Sequence, residues 1–288
     1  MANIMSTMKE IIEGFKGLIK NSGKITKLLN GYAQLKEKSA ENAYIMEKRL
    51  AEISKITSNL PDFDLKNSLI NWLNQEKTEI EKAKEEFRFL LGEQIKALFQ
   101  QDNKTIKGQY PILRVGFYTL VLNFEFGEAS LYFGPEIEKI KSKIPIKPMT
   151  IYQTIKKFDE GLKKTKFDPK EFYLDLQNAY KKQAILSNKP YGEKILLINV
   201  LDEYVILKQP PQFFIDPKKQ HYREFSRINL AYLLYLFKKS EFNQKSIHFY
   251  VATFDATTDK KQALWIPDNE EGEGTYYGYM AIEKESRE

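Results

Sequence analysis

Residues 216–227 read Asp-Pro-Lys-Lys-Gln-His-Tyr-Arg-Glu-Phe-Ser-Arg, a run that sets long cations among planar side chains. Lys218, Lys219, Arg223 and Arg227 are types that neutralise phosphates, and His221, Tyr222 and Phe225 are types on which unpaired bases stack. Ser226 stands where it caps a following helix, whose first turn can offer backbone donors to a phosphate. Lys218, Lys219, His221, Tyr222, Arg223 and Arg227 are therefore the candidate nucleic-acid contacts. The competing account makes Tyr222 and Phe225 anchors of an ordinary loop and leaves the cations to solvent. Lys156, Lys157, Lys163, Lys164 and Lys166 form a second cluster, but at a helix end the dipole alone favours lysine.

Catalytic chemistry is sparsely represented. The chain has no cysteine and only two histidines, His221 and His248, which excludes thiolate ligands, disulfides and cysteine nucleophiles and argues against a histidine-rich metal site. No glycine-rich phosphate loop, dinucleotide fingerprint, His-Glu-x-x-His or Gly-x-Ser-x-Gly motif occurs. Gly272-Glu273-Gly274 lies in an acidic stretch that repels phosphate. A metal-dependent nuclease needs converging carboxylates and a lysine, and Asp202-Glu203 with Lys208 is the nearest approach. Asp255 and Asp259 are accounted for by turn chemistry. No catalytic residue, metal or cofactor is assigned.

The elements that must carry these residues begin with an apolar seam at alternating spacings of four and three. It runs Ile4, Met8, Ile11, Phe15, Leu18, Ser22, Ile25, Leu29, Tyr32, Lys36, Ser39, Ala43, Met46, Leu50, Ile53, Thr57 and Leu60. A 3.5-residue period sustained over about eight heptads predicts a coiled coil, roughly 85 Å long if unbroken. The alternative is an interrupted helical bundle, with Ser22-Gly23 the expected break, because each interior glycine costs about 1 kcal/mol against alanine. Pro61 ends the first helix near Leu60, and residues 65–99 carry a second amphipathic stripe, so a helical hairpin is expected. The N-terminal part, about residues 4–24, then projects beyond the pairing unless it folds back. Its seam, Ile4, Met8, Ile11, Phe15 and Leu18, needs a partner chain or a second copy.

From residue 104 the periodicity changes. Residues 111–124 read as one well-buried strand, 129–133 as a second, and Gly134-Pro135 as the start of a short helix. Residues 146–240 read as mainly helical, with Asp168-Pro169 and Ser226 as helix starts and 193–209 undecided between strand and helix. Three further strands are expected at 247–253, 263–266 and 274–283. Helices followed by a small antiparallel sheet are compatible with winged-helix-like elements, an architectural analogy only.

The predicted fold class is α+β: a coiled-coil or helical-hairpin assembly region over 1–103, and a basic α+β domain with an acidic end over 104–288. Charge follows the same division. Residues 1–103 carry 16 Lys/Arg against 15 Asp/Glu, 104–245 carry 25 against 15, and 246–288 carry 4 against 9. A basic middle points to a polyanion, with nucleic acid the candidate partner. No apolar run is long enough to span a bilayer and no signal peptide is legible, so the expected location is the cytoplasm, with no membrane association. The leading function is a non-catalytic nucleic-acid-associated subunit of a larger assembly, in a setting such as chromosome maintenance or defence against foreign DNA. The alternatives are a metal-dependent nuclease and a purely protein-binding scaffold.

Overall fold

The computed structural model describes the backbone of residues 2–243 and 246–283, with side chains described over 5–242 and 246–283. Two compact units are formed. One comprises the chain up to Ala97 together with Phe124–Gly127, the other Leu98–Asn123 together with the chain from Glu128 onward. The architecture is α+β.

In the first unit, α1 (Ala2–Lys36) runs unbroken through Ser22-Gly23, and the interruption falls instead at Glu37-Lys38, before α2 (Ser39–Thr57). Lys36 and Ser39 are adjacent seam positions and both polar, so the apolar stripe lapses there and holds nothing in line. Folding back at this point lets the two halves of the seam bury one another. Ile25, Tyr32, Met46, Leu50, Ile53 and Leu60 join Leu73 and Ile80 of α3 (Asp64–Gln100) in one core, and Asn42 Nδ2 donates to Leu35 O (2.9 Å) to satisfy a carbonyl at the end of α1. The expected helical hairpin is thus three helices, and the single long coiled coil does not form.

Arg49 lies beside Gly31, and Ser58–Pro61 lie across a groove from Leu18, which sets α1 and α2 antiparallel. Arg88 Nε donates to Tyr44 Oη (2.9 Å) and Lys84 pairs with Glu47 (2.5 Å), which sets α2 and α3 antiparallel. Buried Glu76 ties α1 to α3, accepting from Tyr32 Oη (2.7 Å) and from Lys36. Within this unit Phe124 stacks on Tyr44, 5.6 Å between ring centroids. Seam positions from Ile25 to Leu60 are therefore satisfied inside the chain. Ahead of Leu18 they are not: Met8, Ile11 and Phe15 are 53–62 % exposed, Met5, Ile12 and Ile19 beside the seam are exposed too, and the Ile4 side chain lies outside the described residues.

The second unit opens with an antiparallel meander, β1 (Ile106–Gln109), β2 (Ile112–Val115), β3 (Tyr118–Asn123), β4 (Glu128–Phe133) and β5 (Glu138–Pro145), in that spatial order. The single strand expected over 111–124 is a hairpin turning at Gly116-Phe117; apolar residues on both faces hid the reversal. The helix expected after Gly134 is also absent. Gly134 takes φ +66, its N–H donates to Phe117 O (2.7 Å), and Trp265 fills the place of a Cβ at 2.3 Å, so the chain turns directly into β5.

Helices α4 (Pro148–Lys163), α5 (Pro169–Leu186), α6 (Leu197–Leu207), α7 (Pro211–Ile215) and α8 (Arg227–Lys239) follow. Asp168 accepts from Lys170 N and Glu171 N at the start of α5, and Ser226 accepts from Asn229 N at the start of α8. The undecided stretch 193–209 resolves into both possibilities, a two-residue strand β6 (Ile195–Leu196) leading straight into α6. In the second antiparallel sheet β9 (Gly274–Ile282) is central, with β7 (Ile247–Val251) on one edge and β6 and β8 (Leu264–Pro267) sharing the other. Leu176, Ala179, Leu197, Val200, Leu234, Phe237, Met280 and Ile282 form much of its core. For winged-helix-like elements, α8 is the relevant helix, and Leu230 through Tyr235 with Phe237 are all buried, which leaves little of α8 to enter a groove.

Candidate nucleic-acid interface

Residues 216–226 lie on the surface of the second unit, folded around a short 3-10 turn at Lys219–His221. Pro217 and the turn hold the loop in shape, and His221 Nδ1 bonds the Asp216 carbonyl (2.8 Å). Gln209 fixes its far end, accepting from Arg223 N (2.8 Å) while its amide donates to Arg223 O (3.0 Å). Tyr222 packs by its ring against Phe213 (5.8 Å), and Phe225 packs edge-on against Tyr204 (6.0 Å). Both aromatics thus anchor the loop, although Tyr222 keeps 42 % of its surface in solvent.

The candidate cations do not share one fate. Arg227 is committed to the fold: its Nε donates to Glu138 Oε1 (2.6 Å) and its two terminal nitrogens to Lys260 O (2.6 Å) and Ala263 O (2.7 Å). A guanidinium with three of its five N–H donors spent inside the fold is a clamp between α8, β5 and the approach to β8. Lys218 pairs with Asp216 (2.7 Å) in solvent. Lys219 is exposed, and Arg223 is exposed over the Phe225 ring at 5.0 Å.

Arg223 lines a cleft of about 450 Å³ together with Lys164, Thr165, Lys166 and Phe167, so the loop meets part of the second lysine cluster. Phe172, Tyr204 and Phe225 supply aromatic surface. The lining is of mixed charge, because Asp168, Glu171, Asp175 and Glu224 belong to it too. Lys208 sits between Glu171 (2.6 Å) and Asp175 (2.9 Å). Burial by itself lowers the Lys208 ammonium, but the hydrogen bonds to Glu171 and Asp175 outweigh it and hold the group above its ordinary value. Burial pushes the Tyr204 hydroxyl up to about 12, so it stays neutral. Lys164, Lys166 and Arg223 are the exposed cations that line the cleft without a carboxylate partner among the described residues, and they share its surface with the exposed carboxylates of Asp168, Glu171 and Glu224.

The rest of the second cluster divides the same way. Lys156 pairs with Asp102 (3.5 Å) and Lys163 with Asp159 (3.1 Å), while Lys157 lines a separate cavity. Asp159 is buried and also accepts from Lys104 (2.8 Å). Burial raises its carboxyl, and the bonds from the two lysines more than reverse this, holding it below the usual aspartate range.

The carboxylates considered for a nuclease are dispersed. Asp202 is on the exposed face of α6, and Glu203 pairs with Lys182 (2.5 Å). Asp259 accepts from Lys261 N (2.8 Å) and Gln262 Nε2 (2.9 Å) in a turn. Among the described residues no group of three or more His, Asp or Glu side chains is placed to hold a metal ion. Gly272 takes φ +86 and lies where a Cβ would be 2.0 Å from Gly116 O, so its glycine is a packing requirement. No helix of the described residues is long and apolar enough to cross a membrane. Compared with family profiles, characterised proteins and solved structures, the chain gives no match.

Sequence reasoning missed Tyr204 and Phe167 as cleft walls and Lys141 as a surface cation. The alternation Lys139, Lys141, Lys143 is a period-two signal that points to the strand carrying it.

Proposed function

We propose that this chain is a non-catalytic, nucleic-acid-associated subunit of a larger assembly, in which the second unit contacts the sugar-phosphate backbone and the free end of α1 makes a protein contact. The observation that carries the nucleic-acid reading is that Lys164 and Lys166 meet Arg223, nearly sixty residues further on, in the lining of one aromatic-walled cleft. None of the three pairs with a carboxylate among the described residues. Phosphate contacts of this kind position a strand without reading its sequence, and half-exposed aromatics such as Tyr222 favour unpaired bases. The exposed apolar face of α1 supports the assembly half of the reading. Chromosome maintenance or defence against foreign DNA is a setting that these parts fit.

The test is fluorescence anisotropy with a labelled single-stranded oligonucleotide at several salt concentrations. Binding is expected to be sequence-independent, and Lys164→Ala with Lys166→Ala and Arg223→Ala should flatten the plot of log K against log salt by about 2 units, at about 0.7 per phosphate neutralised. Absence of binding to DNA or RNA at low salt, or an unchanged slope in the folded triple variant, would reject the reading.

A further inference from the structure

We propose that the cavity between β5, α4 and the first turn of α8 is a nucleotide pocket, which takes one nucleoside phosphate either free or as an unstacked unit of a single strand. Its volume is about 720 Å³, within the range of small-molecule sites. Ile140, Phe158, Leu162 and Ile228 make an apolar wall, and Lys141 and Lys157 stand at its edge. No Asp or Glu lines it, in contrast to the mixed charge of the neighbouring cleft. Neither lysine pairs with a carboxylate among the described residues, and both are exposed. A pair of unneutralised cations beside an apolar wall selects an anion joined to a flat apolar body. Phe158 lines the cavity and keeps 39 % of its surface exposed, so part of its aromatic surface is available to a base. The amides of Gln153 and Asn229 and the hydroxyl of Thr150 supply both donors and acceptors for a base edge.

The strand that forms one side is irregular there. Between Ala129↔Ile144, Leu131↔Lys141 and Tyr132↔Lys139 the pairing of β4 and β5 slips twice, each time leaving one additional residue in β5. Adjacent residues of a regular strand point to opposite faces, yet Ile140 and Lys141 both line the cavity. The bulges permit this, giving the pocket an apolar contact and a cation from consecutive positions. Within the bulged stretch Lys143 takes φ +55, uncommon for a lysine, so the irregularity is held at a cost by the surrounding structure.

The proposal shares the nucleic-acid chemistry of the previous reading but rests on different side chains, with Asn229 the one residue lining both cavities. The full chain is titrated calorimetrically with AMP, UMP, adenosine and inorganic phosphate, and separately with a 12-mer oligonucleotide in competition with AMP. AMP or UMP should saturate more tightly than adenosine or phosphate. Phe158→Ala should weaken the monophosphate about tenfold, the lower part of the range for losing one stacked base, and Lys141→Gln with Lys157→Gln should do likewise. Arg223→Ala should leave it unchanged. Displacement of AMP by the 12-mer identifies the strand as source, and its failure identifies the free nucleotide; either supports the pocket. The proposal is overturned if no monophosphate saturates below about 10 mM, or if the folded Phe158 and lysine variants bind as the wild type does. Oligonucleotide binding that needs Lys164, Lys166 and Arg223 but comes without monophosphate binding sinks the pocket and leaves the cleft reading intact. Monophosphate binding without any salt-slope effect from those three does the reverse.

Discussion

Replacing Arg227 separates a clamp from a ligand. In the structure its guanidinium makes charge-assisted bonds to Glu138 and to the carbonyls of Lys260 and Ala263, all at 2.6–2.7 Å. Such bonds contribute about 1.5–3 kcal/mol each, net of the exchange with water. Two features discount the sum: the Arg227 side chain is one quarter exposed, and Lys260 stays paired with Glu138 at 3.0 Å when the arginine is gone. Arg227→Ala should therefore cost about 2–4 kcal/mol, and Arg227→Lys about half of that, since one ammonium cannot reach three partners. For a unit of this size the alanine variant corresponds to a fall in Tm of roughly 5–15 °C. The two tryptophans fall one in each unit, so a Trp72→Phe background lets Trp265 fluorescence follow urea unfolding of the second unit alone. An unchanged midpoint in Arg227→Ala, together with a salt slope reduced by one phosphate, would refute the clamp and restore Arg227 as a nucleic-acid contact.

Asp159 gives a pH signature. Its folded carboxyl lies below the ordinary 3.8, so the native state holds fewer protons than the unfolded one in that range, and the stability from this group is present above pH about 4 and lost as pH falls through the folded value. Asp159→Asn should lower stability at neutral pH and reduce the acid-side slope in urea titrations between pH 5 and 2; an identical slope would remove the network from the account. Gly134→Ala adds a methyl at φ +66 into the Trp265 ring, and an expected loss of about 2–4 kcal/mol is read from the same unfolding curves, with no loss telling against the turn as described. Ile11→Glu with Phe15→Glu should lower the mass seen by light scattering, or release a co-purified partner, while leaving the second unit folded; a mass that is partner-free and unchanged would mean the exposed α1 face makes no contact.

The amino-acid pattern made local features legible: the helical seam, the Asp168 and Ser226 caps, the Pro61 stop and the three terminal strands. Each depends on residues a few positions apart. Other features depended on partners far along the chain. The fold-back at Glu37-Lys38 was visible as two polar seam positions, but a break there rather than at Ser22-Gly23 follows from the burial that Met46, Leu50 and Ile53 gain against Ile25 and Tyr32. The turn at Gly134 was set by Trp265, more than a hundred residues away.

The site followed the same logic. Composition by itself determined that the middle of the chain is cationic, that thiol chemistry is excluded and that aromatics interleave with lysines around 216–227. Which cations stay available was decided by tertiary structure alone. Arg227 and Lys218 look alike in the sequence, yet one is forked into Glu138 and two carbonyls from distant segments and the other faces solvent beside Asp216. A side chain's charge is a local property, whereas its availability depends on which acceptors the folded chain brings within about 3 Å of it.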